Sequence, residues 1–185
     1  MKGGFKSVFD IVLRYAILVL VGISNSWIFY LLFSAITIYP VYFLISLIFD
    51  ASMVYNIITI NNFPIEIIGA CVAGSAYYLL LILNLSIRGI KLKKRILMLL
   101  FSFSSLLAVN ILRIFALSIL FVLGLSFFDF THKLFWYVGS TVFVVAIWFL
   151  SVKIFKIKEI PIYSDIAFLL KSGKKVKKAK SSKKH

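Results

Sequence analysis

The stretch Ile96–Phe128 reads ILMLLFSFSSLLAVNILRIFALSILFVLGLSFF, and Arg113 is its sole charged residue. An apolar run of more than roughly 18 residues reads as a helix whose solvent is lipid. At ~1.5 Å per residue a helix of this length would reach ~50 Å, beyond the ~30 Å hydrocarbon core. The helix must therefore tilt, break or leave the membrane, and Gly124 and Asp129 mark its end.

The rest of the chain has the same character. Of 185 residues, 62% are hydrophobic, and the mean hydropathy is +1.05. Soluble chains sit near ~45–50% apolar. One membrane domain, residues 1–160, is expected, followed by a basic tail at 161–185. An apolar run at Ile11–Ile36 is long enough for a first span. Asp10 and Arg14 interrupt its approach, so it reads as a retained span rather than a signal peptide. Thr37–Pro40 punctuates the run, and Pro40 suits the start of a second helix, to Val54.

Tyr55–Ala70 is the least helical segment: β-branched runs flank Asn61-Asn62, a hairpin signal. Open strands cannot face lipid, so this hairpin belongs at a membrane surface. A third span from Cys71 to Ile87 opens with Ala73-Gly74-Ser75-Ala76, small residues that let helices approach closely. It closes on a basic loop, Arg88–Arg95. The fourth span starts near Ile96 and the last runs from Lys133 to Val152. The fold class expected is an all-α polytopic bundle of five to six transmembrane helices, with a short extracytoplasmic β-hairpin before the Cys-bearing helix. Pro161–Leu170 reads as a short surface helix and Lys171–His185 as a disordered Lys/Ser tract.

The formal charge of +15 is unevenly spread. Eleven of the 21 basic residues lie between Lys153 and Lys184, and five more between Arg88 and Arg95. Charge concentrated at span ends reads as an orientation signal and a contact for anionic headgroups, not as a nucleic-acid site. The positive-inside rule puts the Arg88–Arg95 loop and the tail in the cytoplasm, and Cys71 and His132 at the outer face. Two spans before Cys71 would then leave Lys2 and Lys6 outside; a single full crossing before Asp50 is the alternative.

With one cysteine, neither an intrachain disulfide nor a zinc site of cysteine type can form, and no metal or cofactor is expected. Cys71, Arg113 and His132 share one side of the membrane in this scheme. Arg at mid-bilayer costs ~2.5–3.5 kcal/mol or more, so it faces a partner or a wet cavity. Asn110 lies three residues earlier, on the same helix face. A thiolate is a nucleophile that a nearby cation stabilises, a His can carry its proton to a leaving amine, and an Arg can stabilise an oxyanion. Bland readings stand beside these: a lone Cys as a small apolar residue, a His as an interfacial side chain, and Arg113 as half of an ion pair with Asp50 or Asp129.

Glu66-Ile-Ile-Gly-Ala-Cys71-Val-Ala-Gly-Ser-Ala-Tyr-Tyr, Asn110-Ile-Leu-Arg113-Ile and His132, in that order, resemble the exosortase/archaeosortase family. The run around Cys71 looks closer to the archaeosortase side. The resemblance covers the chain from about the second span to the last. It implies a membrane-embedded cysteine transpeptidase acting on exported proteins with a C-terminal sorting signal: a short motif, a hydrophobic helix and a basic cluster. It also implies a thioester intermediate and transfer to an acceptor, a membrane lipid. Carried over, Cys71 is the nucleophile, Arg113 the partner of thiolate or oxyanion, His132 the general acid/base, and Asn110 the residue that orients Arg113. The chain departs from the exosortase pattern in placing Gly74 three residues after Cys71, and it has few spans before the core. The competing reading is a non-enzymatic transporter or scaffold subunit, in which Arg113 binds an anion or an acidic residue.

Overall fold

A computed structural model describes residues 2–23, 27–87 and 89–157. The expected tail, with its surface helix and Lys/Ser tract, lies outside these residues, as does Arg88. The chain opens with helices α1 (Lys2–Ile23) and α2 (Trp27–Ser46), then strands β1 (Ala51–Val54), β2 (Ile57–Ile60) and β3 (Phe63–Glu66). A 3-10 turn (Gly69–Val72) leads into α3 (Gly74–Leu85) and α4 (Leu92–Val122). Last come α5 (Phe128–Leu134), a π turn (Phe135–Gly139) and α6 (Ser140–Ile154). Two helices, α2 and α4, are long and apolar enough to cross a membrane. Leu31, Phe43, Leu100 and Leu112 are among the large apolar side chains they leave exposed.

The run Ile11–Ile36 is helical on both sides of residues 24–26, in α1 to Ile23 and in α2 from Trp27. Pro40, expected at a helix start, sits inside α2. It removes one backbone hydrogen bond, a loss a helix tolerates when its other backbone groups have no better partner than the helix itself.

The two helices run in the same sense along the bundle. Arg14 of α1 reaches the C-terminal end of α3, donating to the carbonyls of Leu85 (2.7 Å) and Ile87 (3.2 Å). One turn later the Leu18 carbonyl accepts from the Tyr78 hydroxyl (3.0 Å). Phe29 and Phe33 of α2 stack on Tyr77 near the start of α3, and Ile45 packs with Ile58 and Ile60 of the sheet. Both helices thus rise antiparallel to α3, from its C-terminal end to the sheet.

Ala51–Val54, expected to close the second apolar run, is a strand. The expected hairpin is therefore two of three strands in an antiparallel meander, β1-β2-β3. Asn61 and Asn62 turn β2 into β3 with φ of +47° and +73°, the paired left-handed geometry of a type I′ turn. Register pairs Ile60 with Phe63 and Ile57 with Glu66. Ile58 and Ile60 point inward to a cluster with Val41, Ile45, Ile67 and Ile114. A second cluster lies deeper in the bundle, where Phe33 stacks on Tyr77 at 3.9 Å and Phe103 meets both rings edge-on. Such aromatic pairs contribute ~0.5–1.5 kcal/mol each beyond their burial.

The helix expected as a third span is shorter, because α3 begins at Gly74 and Cys71 precedes it on the 3-10 turn. The expected Arg88–Arg95 loop also contracts: Leu92 already opens α4, and Arg95 is buried rather than solvated. Its guanidinium donates to the carbonyls of Asn84 (3.3 Å), Leu85 (2.9 Å) and Ile87 (2.9 Å). The end of a helix leaves carbonyls without intrahelical donors; Arg95 and Arg14 supply donors to those of α3. Of the outcomes open to the long apolar run, breaking is not the one taken. α4 is one helix of 31 residues, closed by Gly124 at φ +63°. Its buried positions, Met98, Ser102, Leu106, Asn110, Ile114 and Ser118, recur every fourth residue, a ridge that packs on its neighbours. The last helical segment, expected from Lys133, starts earlier, since α5, the π turn and α6 follow without interruption from Phe128.

Candidate active site

Sheet and bundle meet at Cys71. From β3 the chain passes through Ile68, still extended at φ −83° and ψ 168°, into the 3-10 turn, where the Cys71 N–H donates to the Ile68 carbonyl (2.8 Å). Ala73 then adopts the left-handed conformation, φ +61° and ψ 39°, before α3 starts. For a residue with a Cβ this costs ~1–2 kcal/mol. The kink lets the Cys71 turn leave the α3 axis, so the half-buried free thiol stands beside the helix instead of inside it.

The Cys71 carbonyl accepts two hydrogen bonds from α4, from Asn110 Nδ2 (2.9 Å) and from Arg113 Nη2 (3.3 Å). Asn110 therefore pins the cysteine turn directly, where the sequence suggested that it would orient Arg113. The other arm of the guanidinium, Nη1, donates to Ser140 Oγ (3.1 Å), whose hydroxyl donates to the Phe135 carbonyl in the π turn (3.2 Å). Arg113 thus ties the cysteine turn to the head of α6. Its hydrogen bonds do not go to Asp50 or Asp129, which removes the ion-pair reading. Its Nε is buried and has no partner. A Cys71 thiolate would be attracted by this guanidinium.

Cys71, Arg113 and His132 line one cavity of about 200 Å³, together with Glu66. The walls are apolar side chains of α4, α5 and the π turn, Leu117, Phe121, Phe128 and Phe135 among them. His132 is exposed, and its ring stacks on Phe128 with centroids 5.7 Å apart and planes 3° from parallel. Glu66 accepts from Asn56 Nδ2 (3.1 Å), which ties its carboxylate to the turn between β1 and β2. The three residues singled out from the sequence do share a site. Ser140 and Glu66 were missed: a serine after a glycine in an apolar run, and a carboxylate in a β-branched segment, carry no spacing that would mark them. Among the described residues no group of three His, Cys, Asp or Glu side chains is placed to hold a metal ion.

Comparison with family models, with curated proteins and with solved structures finds no match to this chain.

Proposed function

We infer that the chain is a membrane-embedded cysteine transpeptidase of the exosortase/archaeosortase kind, which cleaves the C-terminal sorting signal of exported proteins. The observation that carries this reading is the convergence of Cys71, Arg113 and His132 on one cavity, with Cys71 held by Asn110 and Arg113. A core site built only for packing has no use for a thiol, a cation and an imidazole around an apolar cleft.

In this mechanism His132 takes the Cys71 proton and the sulfur attacks the scissile carbonyl. A C–S bond forms, and the oxyanion develops within the field of the Arg113 guanidinium. The C–N bond then breaks, and His132 returns the proton to the leaving amine. The thioester persists until the hydroxyl of an acceptor, a membrane lipid, attacks it, restoring the thiol. The apolar walls keep competing water away from the thioester, which favours transfer over hydrolysis.

The same reading orients the protein as a multi-pass component of the cell membrane. With α1 and α2 rising in one sense we read them as a single passage, and α1–α2, α3, α4 and α5–α6 as four passes, against the five to six helices expected from the sequence. The start of α1, whose sequence includes Lys2 and Lys6, then shares an end with Lys91–Arg95 and with the C-terminus of α6, which lies beside Phe101. All basic clusters fall on one side, as the positive-inside rule asks, and Cys71 faces the outside with the tail in the cytoplasm.

The test is Cys71→Ala in cells that also carry a secreted protein with a motif, apolar helix and basic cluster at its C-terminus. The variant is expected to insert normally and to leave that signal uncleaved by intact-protein mass. Unchanged processing would overturn the reading and favour the transporter or scaffold alternative, for which the thiol is dispensable.

A further inference from the structure

Strand β3 is the edge of its sheet, and its hydrogen-bonding phase can be read from its partners. Ile60 and Phe63 flank a two-residue turn, and the Ile67 N–H donates to the Asn56 carbonyl (2.8 Å). Backbone groups alternate direction along a strand. Phe63, Ile65 and Ile67 therefore face β2, while Pro64 and Glu66 face away. Pro64 agrees with this phase, since a proline fits an edge strand only where its missing N–H would point outward. The outward row is the Pro64 carbonyl, then the Glu66 N–H and carbonyl. None of these has a backbone partner among the described residues.

The row faces the cavity. Pro64, Ile65, Glu66 and Ile67 all line it, four consecutive residues. Side chains of a strand alternate between faces, so a cavity met by every residue in turn runs along the strand's edge, not across one face. Ile67 is buried, and Pro64 and Glu66 are exposed, as that arrangement requires. Beyond Glu66 the chain stays extended through Ile68 and then delivers Cys71.

We propose that the free edge of β3 binds the substrate as an added strand, pairing with the backbone of an extended peptide segment and leading it to the Cys71 thiol. This rests on the transpeptidase reading and specifies how its substrate is held. A helix is ~10–12 Å across with its side chains, whereas an added strand lies only ~4.8 Å from the edge it pairs with and can run along the open cleft. The apolar helix of a sorting signal then stays outside, and the segment before it enters. One face of the guest strand meets Leu117, Phe121 and Phe128, so side chains on alternate residues should be apolar.

The test needs no native substrate. The probe is an alternating Val-Thr hexapeptide ending in a cysteine activated as its 2-thiopyridyl disulfide. The Cys71 sulfur attacks the peptide sulfur, an S–S bond forms, and pyridine-2-thione leaves. Cys71 is the sole cysteine, so release of the thione reports on it alone. The comparison probe is the same peptide N-methylated at its backbone amides, and 2,2′-dithiodipyridine normalises for thiol access. With the full chain in vesicles, the parent peptide is expected to react about tenfold faster than the N-methylated one, the effect of one or two lost hydrogen bonds. Glu66→Pro, which removes the outward N–H and spares the β2–β3 ladder, should slow the parent peptide severalfold on the same normalisation, and Glu66→Gln should not. Equal rates for the two peptides on the wild-type chain overturn the proposal, and point to an acyl chain as the occupant. A parent-peptide rate that Glu66→Pro leaves unchanged overturns it as well. Neither result depends on whether Cys71→Ala blocks processing, so the two readings can fail separately.

Discussion

Two arginines, Arg95 buried and Arg113 half-buried, make opposite predictions when each is replaced by methionine, which keeps most of the unbranched stem and removes the charge. Arg113 makes two hydrogen bonds, to the Cys71 carbonyl and to Ser140. Bonds from a charged donor contribute ~1.5–3 kcal/mol each, hence ~3–6 kcal/mol together. Against this stands ~2.5–3.5 kcal/mol for holding an arginine within the bilayer. A further ~1–3 kcal/mol opposes it for the Nε, buried without a partner. The terms nearly cancel at their midpoints, so Arg113→Met should change stability by ~1 kcal/mol, and by no more than ~3.5 kcal/mol at the extremes. Arg95 has three bonds to carbonyls at the end of α3. Losing them forfeits ~4.5–9 kcal/mol and recovers only the charge term, so Arg95→Met should destabilise by ~2–5 kcal/mol. Reversible unfolding in mixed SDS micelles, followed by circular dichroism, separates the two. If Arg113→Met destabilises as much as Arg95→Met, Arg113 is a strut, and its place in the site has a structural cause. The expected outcome is a stable Arg113→Met protein that processes no substrate.

Other outcomes follow from the same geometry. Asn110→Leu should destabilise by only ~1 kcal/mol in a detergent melt, because Arg113 still holds the Cys71 carbonyl; a loss above ~3 kcal/mol would mean that Asn110 alone carries the turn. Gly124→Ala meets no atom within 4 Å, so its cost is backbone strain alone, ~1–2 kcal/mol at φ +63°. A membrane-impermeant maleimide applied to intact cells should label Cys71, and labelling confined to inside-out vesicles would reverse the orientation.

What could be read from the chain in advance differs by element. The long helix was legible because an apolar run with one arginine leaves no alternative in lipid. The Asn61-Asn62 turn was legible because two adjacent left-handed residues need asparagine or glycine. The passage of α2 through Pro40 was not. When lipid and core are both apolar, a helix carries little periodicity to reveal its ends or its facing side. Cys71, Arg113 and His132 stood out because each is a rare type at an expensive depth. Ser140 did not, since small hydroxyl residues are common in apolar helices and its value lies in a bond to a residue 27 positions away. Nor could sequence show that Asn110 holds a backbone carbonyl, which has no residue identity to match.

The π turn gives the site an angular constraint. In an unbroken α-helix eight residues turn through ~800°, leaving His132 and Ser140 ~80° apart around the axis. A π turn accommodates one residue without advancing the helix, which brings the difference back to ~20° and puts both on one face. In this structure the Ser140 N–H bonds to the Phe135 carbonyl, closing that wider turn, and the Ser140 hydroxyl bonds to the same oxygen. The extra residue therefore works as a phase shifter: it lets one helix face Arg113 with Ser140 and present His132 to the same cleft. Deleting a single residue between Phe135 and Gly139 would restore a regular helix and swing His132 away by ~100°. The aromatic helix before the turn would go with it, and the cavity would lose a wall and its imidazole in one step.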